Sequence, residues 1–133
     1  MGTLLKPSRR TPEPYAPCVL IVDDDQHVRG SFREILEEAG YFVTEASNGR
    51  EALRAAADWF FEVLIVDLSM PDADGLEAIR SIRSELPGAK ILAISGFMEG
   101  AMLSVAAKMG ATATLNKSVA REQLLSKVCQ LLE

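Results

Sequence analysis

Val63-Leu64-Ile65-Val66-Asp67-Leu68-Ser69-Met70-Pro71-Asp72-Ala73-Asp74-Gly75 opens with four large apolar residues, meets an aspartate, and passes through a proline into an Asp-Gly pair. Beyond it, Leu76, Ile79, Ile82 and Leu86 recur at helical spacing. A short, unbroken apolar run followed by a polar loop and an amphipathic helix reads as a strand buried on both faces. Such burial is the mark of a parallel sheet covered by helices.

The same unit repeats in both directions from this stretch. Further strands are expected at Cys18 to Val22, Phe42 to Ala46, Ile91 to Ile94 and Thr112 to Leu115, with the central one at Val63 to Val66. Val28, Phe32, Ile35, Leu36 and Ala39 predict a first helix that stops at Gly40. A second begins near Asn48, with Glu51 three residues on, and turns Ala52, Leu53, Ala56, Ala57 and Phe60 inward. Asp74 with Glu77 reads as another capping arrangement for the third. Met102, Val105, Ala106 and Met109 mark the fourth helix, and Leu124, Leu125, Val128, Leu131 and Leu132 mark the last, from about Ala120. Alternation of this kind predicts an α/β fold, a flavodoxin-like (βα)5 three-layer sandwich with parallel sheet order 2-1-3-4-5. Ligands in such sheets bind at the carboxyl ends of the strands, near the switch point between strands one and three.

Composition agrees with one domain: 133 residues, 48% hydrophobic and 25% charged. No run approaches the roughly 18 apolar residues of a membrane span, and no secretory leader is visible, so a cytoplasmic protein is expected. A net charge of −5 without a basic stripe argues against direct nucleic-acid binding. Residues 1–17 hold four of the six prolines and three basic residues against Glu13, and read as a flexible Pro-rich tail ahead of a domain at 18–133. Cys18 and Cys129 have no metal-type spacing and read as small buried hydrophobes.

The polar residues that end the strands are the chemical signal. Asp23 and Asp24 follow the first strand, Asp67 the third, Ser95 the fourth and Lys117 the fifth, so all converge on one sheet edge. Carboxylates a few Å apart repel by roughly 1 kcal/mol per pair in water and more at low dielectric, which invites a cation. Oxygen ligands select a hard ion, Mg²⁺ before transition metals. A phosphoryl group in transfer spreads charge over three oxygens, which Mg²⁺, Lys117 and the Ser95 hydroxyl can meet. Asp67 is then the nucleophile, Asp24 a direct metal ligand, and Asp23 the residue that positions the metal or its waters. Asp25 reads as a cap for the first helix and His27 as an exposed structural residue.

Two stretches, Val19-Leu-Ile-Val-Asp23-Asp24-Asp25 and Val63 to Gly75 with its Asp-x-x-Met-Pro-x-x-Asp-Gly pattern, together with Ser95 and Lys117, resemble the response-regulator receiver family over about residues 18–133. The resemblance implies a signalling protein rather than an enzyme of metabolism. It accepts a phosphoryl group from phosphohistidine and catalyses both that transfer and its later hydrolysis. The donor is a sensor histidine kinase or a histidine phosphotransfer protein. It also implies that Asp67 is the phosphoacceptor, that Asp23 and Asp24 are the acidic pair, and that the Ser69 carbonyl completes the metal shell. Ser95 stands where the family has Thr or Ser.

The departures are Ser118 where the family places Pro, read here as a cap for the last helix, and Thr114 where it commonly places an aromatic. The fourth-helix face around Met102 and Met109 is the expected responsive surface. With no room for an effector after Glu133, a stand-alone receiver is expected, monomeric or weakly dimeric, that signals by docking to another protein. Two other readings are a haloacid-dehalogenase-type phosphohydrolase using Asp23 and Asp25, and a receiver fold that only binds and is never phosphorylated.

Overall fold

The structure, a computed structural model, describes residues 16–71, 74–96 and 100–133. Of the tail expected at 1–17, residues 1–15 lie outside the described residues. The chain runs β1 (Cys18–Val22), α1 (Gln26–Glu38), β2 (Phe42–Ala46), α2 (Gly49–Asp58), β3 (Val63–Asp67), α3 (Asp74–Glu85), β4 (Lys90–Ser95), α4 (Gly100–Met109), β5 (Ala113–Asn116), a 3₁₀ turn (Lys117–Val119) and α5 (Ala120–Leu132). The strands form one parallel sheet in the order β2-β1-β3-β4-β5, as the alternation predicts.

Alternating side chains divide the core between two faces. Leu20, Val22, Leu64, Val66, Ile91 and Ala93 pack with Ala52 and Ala56 of α2, Ala78, Ile79 and Ile82 of α3, and Ala106 of α4. On the other face Val19, Ile21, Val63, Ile65, Leu92 and Ile94 meet Phe32 and Leu36 of α1 and Leu124, Val128 and Leu131 of α5. The result is three layers.

The expected helix punctuation holds at α1. Asp25 caps it by accepting from the His27 and Val28 N–H groups, and Gly40 ends it at φ +97°, a conformation that disfavours a side chain. His27 is exposed.

Several local expectations need correction. Regular pairing of β5 begins at Ala113, one residue late, because the Thr112 hydroxyl rather than a backbone carbonyl accepts the Ile91 N–H at 3.0 Å. α2 stops at Asp58 with Trp59 already extended, so Phe61 instead of Phe60 enters the core, and Ala57 faces solvent. Val105 is exposed on α4, whereas Met102 and Met109 pack against the core. Cys18 is buried but Cys129 is exposed, beside Val128 and outside the inward stripe of α5, with its sulfur 3.7 Å from the Tyr41 hydroxyl.

Neither of two expected caps serves its own helix. Ser118 does not cap α5; its N–H and hydroxyl both donate to Asn116 Oδ1, which caps the intervening 3₁₀ turn. Asp74 is the first residue of α3, and its carboxylate accepts from Gly49 N–H at 2.7 Å, capping the start of α2 across the fold. The cause is the tight seat of the next residue: a Cβ on Gly75 would meet the Asp67 carbonyl oxygen at 2.4 Å. That close approach places the first turn of α3 directly under the end of β3.

Candidate functional site

Parallel pairing of β1, β3, β4 and β5 brings their polar carboxyl-end residues to one edge. Asp67 ends β3 in register with Ile94, and the next residue, Ser95, ends β4 opposite Asn116, which precedes Lys117. Asp23 follows β1 and is tied to β2 by its N–H donating to the Ala46 carbonyl at 3.1 Å.

Asp23, Asp24 and Asp67 each offer a carboxylate oxygen, and the three atoms lie within 4.8 Å of one another. Asp23 and Asp67 are buried and Asp24 is exposed. Lys117 Nζ donates to Asp67 Oδ2 at 3.3 Å, while Asp67 Oδ1 accepts from the Ser69 N–H at 3.0 Å. Ser95 is fully buried, its hydroxyl 3.4 Å from the Gly96 carbonyl. The five side chains singled out in the sequence therefore gather at the ends of neighbouring strands.

The electrostatics of this cluster show in Asp23. Burial pushes its carboxyl up to about 7, and the neighbouring Asp67 charge and the hydrogen bond between the two carboxyls push the same way. The Asp25 N–H, which donates to Asp23 Oδ1 at 2.9 Å, and the Lys117 ammonium oppose that rise. A proton or a cation is what these crowded carboxylates lack. An all-oxygen donor set with one open, exposed member suits a hard divalent ion that keeps part of its water shell.

A cleft of about 470 Å³ opens beside Asp24, between Asn48, Arg50, Met70, Pro71 and Asp74. A larger cavity of about 600 Å³ lies elsewhere, lined by Phe60, Phe61, Leu86 and Leu132, and contains none of the clustered residues. We assign the chemistry to the carboxylate edge because charge and nucleophiles converge there. Asp25 is engaged as the cap of α1 and is not one of the three clustered carboxylates, which leaves an Asp-x-Asp hydrolase reading without its second carboxylate. Thr114 is half-buried in β5, opposite Ala93.

The structure adds Arg29, which the sequence alone does not mark, to the surroundings of the acidic pair. Its Nη1 donates to the Asp23 carbonyl at 2.7 Å. The signal available was its place six residues after Asp23, one turn into a helix that starts at the site, from which a long side chain can fold back.

Comparison with known proteins agrees with this geometry. The response regulator receiver domain model matches residues 19–129. The chain is 39% identical over 94 residues to the chemotaxis protein CheY of Thermotoga maritima, covering 70% of this chain and 78% of that one. Among solved structures, Vibrio cholerae chemotaxis protein CheY4 superposes with a TM-score of 0.80 at 32% identity, covering 88% of this chain and 99% of that one. The Thermotoga maritima response regulator TrrA, solved in complex with Mg²⁺-BeF, superposes with a TM-score of 0.78 at 31% identity, covering 87% and 99%. Among the described residues, no helix is long and apolar enough to cross a membrane.

Proposed function

Because this chain belongs to the response regulator receiver family, we propose that Asp67 accepts a phosphoryl group from a phosphohistidine donor and that the modified domain signals through altered protein contacts. The observation that carries the reading is Asp67 itself: a buried carboxylate at a strand end, within reach of two further carboxylates and of the Lys117 ammonium.

In the proposed step an Asp67 carboxylate oxygen attacks phosphorus, the phosphorus–nitrogen bond breaks, and the imidazole leaves with the electron pair and takes a proton. Asp23, Asp24, Asp67 and the Ser69 carbonyl are the residues to hold Mg²⁺. When bound, this ion supplies charge neutralisation on the phosphoryl oxygens. Lys117 and the Ser95 hydroxyl meet the remaining oxygens. Hydrolysis later returns Asp67 to a carboxylate when water attacks phosphorus and inorganic phosphate leaves. Both steps are self-catalysed, and the protein acts as a switch rather than as an enzyme on a metabolite. The donor is a sensor histidine kinase or a histidine phosphotransfer protein.

The test is intact mass after incubation with acetyl phosphate and Mg²⁺. One added phosphoryl group on the wild type, lost in Asp67→Asn, is the expected result. An unmodified wild type would instead favour a receiver fold that works by binding alone.

A further inference from the structure

Arg29 has no part in the steps above, yet its guanidinium joins the acidic pair to the edge of the sheet. Nη1 donates to the Asp23 carbonyl at 2.7 Å and Nε donates to Glu45 Oε1 at 2.8 Å. The second Glu45 oxygen accepts from Arg33 Nη1 at 2.8 Å, and Arg33 Nε reaches Glu37 at 2.9 Å. With its side chain 15% exposed, Arg29 is a largely desolvated fork whose planar geometry fixes the direction of each bond.

What the fork holds is the peptide between Asp23 and Asp24. The Asp23 N–H is already committed to Ala46, and Asp23 Oδ1 to the Asp25 N–H. The carbonyl bond to Arg29 fixes the plane of the following peptide, which carries the Asp24 Cα. Asp24 is exposed and opens a loop, so the orientation of its backbone sets where its carboxylate points.

We propose that Arg29, oriented by Glu45, is a positioning residue that turns Asp23 and Asp24 toward one divalent cation shared with Asp67. This inference rests on reading the three carboxylates as an Mg²⁺ site. Charge alone argues for the opposite effect. Arg29 is a cation close to a cation site, and Coulomb repulsion says that its removal tightens metal binding. A positioning role says that its removal weakens binding, because groups that orient metal ligands typically carry about 10–100-fold in affinity. The sign of the change separates the two.

The experiment is calorimetric titration of Mg²⁺ alone into the full chain, with thermal melts in chelator alongside. The variants are Arg29→Met, Glu45→Gln and Glu45→Ala. Arg29→Met is expected to raise the Mg²⁺ Kd about tenfold. Glu45→Gln, which keeps one acceptor oxygen for Nε but sets its NH₂ group against Arg33, raises the Kd less than Glu45→Ala does. Arg29→Met with wild-type or tighter affinity overturns the proposal, even if its melting temperature falls, since that is what a merely structural role produces. Should Arg29→Met not melt cooperatively, equal affinities in Glu45→Gln and Glu45→Ala overturn it. A wild type that takes up no Mg²⁺ defeats the metal-site reading itself, and the inference with it.

Discussion

Lys117 Nζ stands 3.3 Å from Asp67 Oδ2, and the pair joins the end of β5 to the end of β3 across β4. Asp67 is 5% exposed and Lys117 31%, so the ammonium reaches from the solvent side to a carboxylate that water scarcely touches. Lys117 offsets part of the charge of the crowded carboxylates, and under the proposed function the same ammonium meets the phosphoryl oxygens on Asp67.

Replacing Lys117 by Ala removes that cation while leaving the carboxylates in place. By analogy with the loss of one charge-stabilising donor, formation of the acyl phosphate from acetyl phosphate slows by about 10²-fold. Time-resolved intact mass measures it, and an unchanged rate would remove Lys117 from the chemistry.

The raised carboxyl of Asp23 makes stability depend on pH with a defined sign. Its ordinary value is 3.8 and its folded value about 7, so the fold favours the protonated form. The stabilisation is complete below about pH 4 and is lost as pH rises through about 7. Melts in chelator at pH 5 and pH 8 therefore show a drop toward pH 8 that is smaller in Asp23→Asn. Added Mg²⁺, which needs the deprotonated carboxylates, raises the melting temperature more at pH 8 than at pH 5. Equal pH dependence in wild type and Asp23→Asn would contradict this assignment.

Gly75→Ala places a methyl group 2.4 Å from the Asp67 carbonyl oxygen, which forces β3 and α3 apart. Overpacking of this kind costs about 1–3 kcal/mol, measurable by urea unfolding. Because the displaced backbone carries Asp67, phosphorylation slows as well. A variant as stable as wild type would mean that this contact relaxes freely.

Asp74→Ala leaves the Gly49 N–H at the head of α2 without its acceptor. A loss of about 1 kcal/mol is expected, as for other helix caps. Hydrogen exchange provides a local check: faster exchange in the first turn of α2, with α5 unaffected. Exchange that accelerates evenly across the domain would argue against a cap.

The strands and their terminal acids could be read from the chain because burial on both faces forces unbroken runs such as Val63 to Val66, and a polar residue that ends such a run stands out. Asp23, Asp67 and Ser95 end such runs, Asp24 follows Asp23, and Lys117 follows the mixed fifth strand; they gather because strand ends in a parallel sheet share an edge whatever the loops do. The bond from Gly49 to Asp74, the fork at Arg29 and the Asn116 cap over Ser118 could not be read this way. Gly49 and Asp74 are 25 positions apart and meet because Gly75 tucks beneath Asp67 and because Gly49, having no Cβ, leaves room for the Asp74 carboxylate. Cys129 is exposed where the sequence predicts burial for a similar reason: its neighbour Val128 faces the core, and the rotation of α5 decides which of the two does.

The proposed acceptor is Asp67, and the most direct measurement converts its acyl phosphate into a permanent mark. Wild type is treated with acetyl phosphate, with and without Mg²⁺, reduced with borohydride, and mapped by peptide mass spectrometry. Homoserine at position 67, dependent on Mg²⁺ and on phosphodonor, is the predicted result. Reduction at Asp23 or Asp24 instead, or at no residue, would contradict it.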